Sequence, residues 1–323
     1  MNFSKITNFL RKNNINFLQN EKLSNHNSIK IGGECNFYVI PKSIEQLKLL
    51  LDFATKNNVK YFILGKGTNT LFADDGFNGI VICTKLLNNY KINNNKIFAQ
   101  CGLGLFELGK ICAKNSLSGI EFCYGIPGSV GGAMITNAGA CEKNIGDFVD
   151  YVKVYQNGEI IDILQKDMAF GYRTSILENS NAIVLGVQLN LTNGKKEQIE
   201  ILQKQYFEKK LASQPYDKLS LGSVFKRNKN YEPVSKLIDE LGLKGYQVGD
   251  AQVSKKHAGF LINNGECTCK DFVLLIKYIQ KQIFDKYGFV PELEIKFAGD
   301  IWYFLEIITR IQNIVATIMA KAQ

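Results

Sequence analysis

The apolar and polar positions divide the chain into three stretches of mixed helix and strand. In the first, Ser43 and Gln46 form a Ser-x-x-Gln capping box. Leu47, Leu50, Leu51 and Ala54 then fall on one face of a helix ending near Asn57-Asn58. The uninterrupted run Tyr61–Leu64 reads as a buried strand that delivers the chain into Gly65-Lys66-Gly67-Thr68-Asn69. A turn at Asp74-Asp75-Gly76 leads to another strand, Gly79–Cys83. Beyond the polar run Asn88–Lys96, a strand (Ile97–Gln100) and a helix (Leu105–Asn115) precede the densest glycine cluster, Tyr124–Gly132. Alternation resumes over Val152–Tyr155, Ile160–Ile163 and Ala182–Leu191, which ends in a turn at Thr192-Asn193-Gly194. A helix over Glu197–Ala212, with Ile199, Ile201, Leu202, Tyr206 and Phe207 as its apolar residues, bridges to the third stretch. There we expect a strand (Leu221–Lys226), a helix opening at Pro233, a strand (Gly259–Ile262), a long helix (Asp271–Tyr287) and a last strand, Glu292–Phe297. The fold class is α+β, with its main boundary near residue 196.

The tail Asp300–Gln323 has a different pattern. Ile301, Phe304, Leu305, Ile308, Ile311, Val315 and Ile318 form one stripe, opposite Glu306, Arg310, Asn313, Thr317 and Lys321. This predicts an amphipathic helix whose apolar face is covered by the chain's own body, a second subunit or another partner, or a membrane surface.

Composition narrows the function classes. A chain of 323 residues has room for about two domains, and 46% hydrophobic with 21% charged residues is ordinary globular usage. The 39 basic against 30 acidic residues are largely lysines scattered among Asn and Ile, which reads as solvated surface. No basic stripe interleaved with aromatics marks a nucleic-acid partner. The eight cysteines sit mostly in apolar or glycine-rich runs without a CxxC pair. Cys267 and Cys269 lack a second pair or a histidine at zinc spacing, so no metal site is expected. Reduced buried thiols, no leader-length apolar core near Met1 and no apolar run of membrane length together predict a cytoplasmic protein without a membrane span.

Five motifs could carry chemistry. Gly65–Asn69 follows a strand, presents backbone N–H groups and adds the Thr68 and Asn69 side chains; it is neither a P-loop nor a Rossmann fingerprint. Ile126–Ala133 followed by Asn137–Ala140 is nearly free of bulky side chains, which suits close approach of backbone to a phosphate or a flat ring. In Phe170–Ser175, Arg173 beside Tyr172 could clamp a carboxylate bidentately. In Leu221–Arg227, the Ser223 hydroxyl is followed by Lys226 and Arg227 without the partners of a hydrolase triad. In Pro291–Gly299, Glu292, Glu294 and Lys296 alternate onto one face. Of the two histidines, His26 reads as a loop residue and His257 as a polar ligand contact.

Taken in order, Gly32-Gly33, Leu64–Asn69, Ile126–Ala140, Gly171–Arg173, Gly222–Arg227, Lys256–Gly259 and Glu294–Gly299 resemble the UDP-N-acetylenolpyruvoylglucosamine reductase (MurB) family over about residues 20–299. The short interval between Arg173 and Ser223 is similar to that family's shorter type, which lacks an inserted tyrosine-bearing loop. The resemblance implies a two-lobed FAD-binding region of the vanillyl-alcohol-oxidase type over 1–196 (lobes about 1–84 and 85–196) and an α+β substrate-binding domain over 197–299. The tail 300–323 lies outside the family pattern. It also implies noncovalent FAD, NADPH as co-substrate, a UDP-sugar substrate and a place in cytoplasmic peptidoglycan-precursor synthesis.

Residue by residue, the resemblance assigns the cofactor to Gly65, Lys66, Gly67, Thr68, Asn69, Pro127, Gly128, Ser129, Gly132 and Ala138. Ser223 becomes the proton donor, helped by Lys226 and Arg227. Arg173 becomes the cation for developing charge, and Glu294 a carboxyl protonated or hydrogen-bonded when that charge forms. Tyr172, Arg227, Lys236 and His257 become substrate contacts. Two other readings stay open: another FAD oxidoreductase on the same scaffold, and a nucleotide-binding module without turnover.

Overall fold

The computed structural model describes residues 2–301, so the predicted tail helix lies, beyond Asp300 and Ile301, outside the described residues. Three sheets carry the architecture. The first orders its strands Asn16–Lys22, Glu34–Ile40, Phe77–Cys83 and Tyr61–Leu64; the last three run parallel and the first antiparallel to them. Its two faces follow the period of two along each strand. Phe37, Val39, Ile80 and Ile82 meet Ile6 and Leu10 of α1 (Phe3–Lys12) and Leu47, Leu50 and Leu51 of α2 (Ile44–Lys56). Tyr38, Val81 and Cys83 point the other way, onto Leu23, Leu64 and Phe72.

The predicted helix over 44–56 forms with the expected buried face, but its cap differs in one bond. Ser43 Oγ accepts from the Gln46 N–H, while the Gln46 carboxamide reaches back to the N–H of Lys42 rather than that of Ser43. Helix α1 escaped the pattern reading because only Ile6 and Leu10 of its ten residues are buried.

The second sheet is wholly antiparallel, in the order Glu159–Leu164, Val149–Gln156, Ile183–Asn190, Lys96–Gln100, Tyr90–Asn93. It shares one continuous core with the first sheet, and α3 (Leu105–Lys114) and α4 (Val130–Thr136) pack into that core. The strand Glu159–Leu164 lies at the edge, so its apolar alternation is spent on solvent: Ile160 and Ile161 are exposed. Thr192-Asn193 pairs with Leu117-Ser118 as a short strand rather than closing a turn.

Helix α5 (Lys196–Ser213) crosses to the third sheet, and the apolar face predicted for it forms in part: Ile199 is buried, Tyr206 packs on the main core and Phe207 meets Phe106 and Tyr124. Only Ile199 and Gln203 are buried, and Ile201 is 57% exposed. Specific bonds add to this packing, such as the Gln203 amide donating to the Gly109 carbonyl at 2.9 Å.

The third sheet, Leu219–Ser223, Phe260–Asn263, Ala251–Val253 and Gln247–Val248, is antiparallel. With α6 (Val234–Glu240) and α7 (Cys269–Tyr287) it builds a second core. A Thr268–Asp271 capping box starts α7, and Asp74 of the first lobe accepts from the N–H groups of Cys269 at 2.7 Å and Lys270 at 3.0 Å. A carboxylate at a helix N-terminus is electrostatically favoured, so this contact ties the third sheet to the first.

Two predicted strands are shorter than expected. The strand expected over 221–226 ends at Ser223, because Gly222 turns the backbone to φ +80° and breaks the register. The last strand pairs only over Lys296–Ala298, parallel to Thr70–Phe72 of the first lobe. All eight cysteines are free thiols and seven are buried; Cys141 is the exposed exception, at the tip of a tight hairpin. Among the described residues no helix is long and apolar enough to cross a membrane.

Candidate active site

The two glycine-rich segments meet. Thr68 Oγ1 donates to the Pro127 carbonyl at 3.0 Å, and a Cβ on Gly65 would lie 2.4 Å from Ser129 Oγ. Ser129 caps α4 by accepting from the Gly132 N–H. Gly67 is required for conformation and space at once: its φ is +64°, and a Cβ there would sit 2.3 Å from the His26 carbonyl oxygen. Gly128 and Gly132 play another part. Neither has a positive φ, and a Cβ on either would meet nothing nearer than 3.7 Å. What these two glycines supply is room, and a side chain at either would fill it. Ala138 follows the left-handed Asn137 and closes α4 by donating its N–H to the Ala133 carbonyl.

Arg173 sits on a tight turn in which the Gly171 N–H donates to the Thr174 carbonyl at 3.1 Å. Its φ of +54° is uncommon for a non-glycine residue and costs about 1–3 kcal/mol. Anchors on both sides hold it there. Asn137 donates to the Gly171 carbonyl and accepts from the Gly146 N–H, both at 2.9 Å, and Ser175 Oγ donates to the Ile135 carbonyl. From this turn the guanidinium passes Tyr172, 5.2 Å from the ring centroid. Its Nη2 donates to the Gly139 carbonyl at 2.9 Å and its Nε to Glu294 at 3.0 Å.

Glu294 and Ser223 belong to interleaved segments. Past Ser223, the Val224 N–H donates to the Gly259 carbonyl, the Glu294 N–H donates to the Val224 carbonyl, and the Lys226 N–H donates to the Glu292 carbonyl. Asn69 of the first glycine loop donates to the Glu294 carbonyl at 3.0 Å, and the Lys296 N–H donates to the Asn69 carbonyl. The loop Gly65–Asn69, the Arg173 turn and the Ser223 strand end therefore converge on Glu294. Burial pushes the Glu294 carboxyl above the ordinary carboxylate range, and the Arg173 and Lys226 charges oppose this without reversing it.

The Ser223 hydroxyl reaches only the Phe225 carbonyl, at 3.5 Å, which is long for a hydrogen bond. The Lys226 ammonium, expected beside that hydroxyl, instead faces Glu292 at 2.7 Å and Glu178 at 3.7 Å.

The other predicted contacts separate. The Tyr172 hydroxyl accepts from the exposed Arg227's backbone N–H at 3.3 Å, so these two form one rim. His257 Nδ1 accepts from the Gly259 N–H at 3.1 Å, and burial holds its pKa below the ordinary histidine value. It is thus a neutral ring with Nε2–H left to donate, rather than a cation. Lys236 is not brought to this group; its ammonium faces Glu232 at 3.3 Å and Glu240 at 3.9 Å on its own helix and flank. Lys66 is exposed and passes over Gly104, where a Cβ would lie 2.3 Å from its Nζ.

Three residues absent from the predicted set occupy the site's surroundings. Asn137 lay inside the glycine cluster, and its polarity there was the available signal. Glu178 and Lys210 carried none. Lys210 donates to the Gly125 carbonyl at 3.3 Å, the Tyr216 hydroxyl donates to the same oxygen, and burial brings the lysine down to about 8.

Comparison with known proteins agrees with this geometry. Residues 35–163 match an FAD binding domain family, and residues 214–298 match the C-terminal domain of UDP-N-acetylenolpyruvoylglucosamine reductase. The chain is 40% identical to the UDP-N-acetylenolpyruvoylglucosamine reductase of Clostridium tetani, over 88% of this chain and 93% of that protein. It is 39% identical to the Thermotoga maritima protein of the same name, over 88% and 98% respectively. The crystal structure of UDP-N-acetylenolpyruvylglucosamine reductase (MurB) from Thermus caldophilus superposes with a TM-score of 0.75 at 29% identity, covering 88% of this chain and 99% of that one. The chain belongs to the UDP-N-acetylenolpyruvoylglucosamine reductase family.

Proposed function

We propose that this protein uses NADPH and FAD to reduce the enolpyruvyl ether of UDP-N-acetylglucosamine to UDP-N-acetylmuramate. The reaction makes a peptidoglycan precursor in the cytoplasm and so serves cell shape and division. The observation that carries the reading is the Arg173–Glu294 pair at 3.0 Å, joined through backbone to both the Ser223 strand end and the Gly65–Asn69 loop. We read residues 1–196 as the flavin-binding region and 197–299 as the substrate-binding domain, in keeping with the two family matches.

The open sides of Gly128 and Gly132 leave the kind of flat recess a ring or phosphate needs, and the Gly65–Asn69 loop meets their segment. These residues, with Pro127, Ser129 and Ala138, would hold the flavin noncovalently. His26, whose backbone adjoins Gly67, has its ring stacked on Tyr38 and its Nε2 2.8 Å from Glu21, so it is not placed as a covalent tether. Bound FAD supplies the two-electron store between NADPH and the enol ether.

The protein's own task is to stabilise charge. When hydride adds to the terminal vinyl carbon of the substrate, negative charge develops on the adjacent carbon and the conjugated carboxylate. Arg173 binds that carboxylate through the Nη1 edge that Glu294 and Gly139 leave available. A protonated Glu294 releases the Arg173 charge for the substrate instead of neutralising it, which gives the raised carboxyl a purpose. Ser223 Oγ delivers the proton to the substrate carbon. Tyr172, Arg227 and a neutral His257 contact the sugar nucleotide at the rim, and the ion-paired Lys236 has the weakest claim among them.

Colour tests the reading. The purified protein should be yellow, bleach on anaerobic addition of NADPH and recover its absorbance when the enolpyruvyl UDP-sugar follows. Recovery with oxygen but not with that substrate would assign it to another flavin chemistry, and a colourless protein that takes up no FAD would leave a binding module.

A further inference from the structure

We propose that Glu178 is a positioning residue of this site: by engaging Lys226 and Lys296 it offsets their charge and lets the neighbouring Glu294 carboxyl keep its proton. The inference rests on the reading that Glu294 acts in its protonated form.

Glu178 lies just beyond the Arg173 turn, and its side chain is only 12% exposed. It receives the Lys296 ammonium in a short ion pair and lies 3.7 Å from that of Lys226. Burial works to raise its pKa, but hydrogen bonds from Lys296 and Thr174 and the two lysine charges win, so it titrates below the ordinary carboxylate range. Its surroundings thus favour the anion.

Lys296 is two residues from Glu294 along the same extended segment, and the Lys226 charge acts directly against protonation of Glu294. The groups facing Glu294 are Arg173 from the turn and Lys226 from the segment after Ser223. Those facing Glu178 are Thr174, Lys226 and Lys296; Lys226 also meets Glu292, whose side chain is 72% exposed and therefore well screened by water. Glu178 is the buried counter-charge in this set. Without it, a less neutralised Lys226 would favour the ionised form of the largely buried Glu294 carboxyl, and the resulting anion would occupy Arg173.

The test is a carboxyl ¹³C NMR titration of the flavin-loaded full chain labelled in glutamate, with the Glu294 signal assigned by its loss in Glu294→Gln. Glu178→Gln should lower the Glu294 midpoint by on the order of half to one pH unit, as expected for removing one nearby charge of a partly screened site. Lys226→Met should move it the opposite way. Local loosening would instead admit water and lower the midpoint in both variants, so opposite signs separate electrostatics from structure. An unchanged midpoint in Glu178→Gln, or a downward shift in both, overturns the proposal. If Glu178→Gln does not fold, Glu178→Met takes its place with the same expected fall in the Glu294 midpoint, and no fall overturns the proposal. Stopped-flow flavin reoxidation by substrate, measured across pH in the same variants, tests the underlying reading. Rates that ignore moved midpoints would remove Glu294's protonated role while leaving the effect of Glu178 established.

Discussion

The two walls of the site are built by opposite means. One is made of what is missing: Gly128 and Gly132 hold space open, and Gly67 lets backbone pass where no side chain fits. The other is made of charge, with Arg173, Glu294, Lys226, Glu178 and Lys296 drawn from three separated segments. The first wall is passive and sets shape; the second has to balance desolvation against attraction, and its chemistry depends on where that balance falls. Removing atoms from the charged wall should change rates, whereas adding atoms to the glycine wall should change occupancy.

The largest effect should come at Ser223, the proposed proton donor beside the charged wall. Ser223→Ala is expected to slow flavin reoxidation by substrate by about 10²–10³ or more, while NADPH-driven bleaching stays at the wild-type rate. Equal slowing of both half-reactions would break the distinction between the walls. Next in size, Gly132→Leu should weaken FAD binding by about tenfold or more, roughly 1.4 kcal/mol. Leucine is the better helix former by nearly 1 kcal/mol, so the variant should remain folded but purify pale, as read from its absorbance ratio and circular dichroism. A fully yellow Gly132→Leu protein would show that the recess lies elsewhere.

Smaller effects sharpen the comparison at the rim. Arg227→Ala should raise KM for the UDP-sugar several-fold and flatten its rise with salt, because the exposed charge acts through a screened field. Lys236→Ala should change KM little, since that ammonium is shared between two neighbouring carboxylates. A separate effect, away from catalysis, is one of stability. Folded Lys210 loses its proton near 8, whereas the unfolded chain keeps it to the ordinary value of 10.5. Between those limits the unfolded state binds more protons, so wild-type stability should gain with rising pH. Denaturant midpoints of Lys210→Met across that window should lack the gain.

How much of this was legible follows the same division. The glycine wall could be read because its demands are local: a run without side chains announces itself wherever it folds. Helix α2 was legible for a similar reason, its burial being written in short-range periodicity, whereas the strand Tyr61–Leu64, read as buried, lies at the edge of its sheet with only Leu64 buried. Helix α5 was legible in part: Ile199, Tyr206 and Phe207 keep the expected face, while Ile201 turns to solvent and the polar Gln203 is buried on a bond to Gly109. The roles of Arg173, Ser223 and Glu294 came from family resemblance in their order along the chain. Glu178 was invisible because its partner Lys296 is 118 residues away and no local pattern marks Glu178. Lys226 was noticed for its nearness to Ser223 in sequence, and the fold turned it to other partners.

The pairing of Lys296–Ala298 with Thr70–Phe72 bears on how the molecule is made. The amino-terminal lobe cannot acquire its final strand until almost the whole polypeptide has left the ribosome, since that strand is contributed by the last described segment. Long-range pairing of this kind is slow to form, and a nascent chain lacking it would have neither the Asn69 backbone contact nor the carboxylate beside Arg173. A prematurely terminated product could therefore fold its amino-terminal sheet and keep the glycine-rich recess while lacking the charged wall that Glu294 completes.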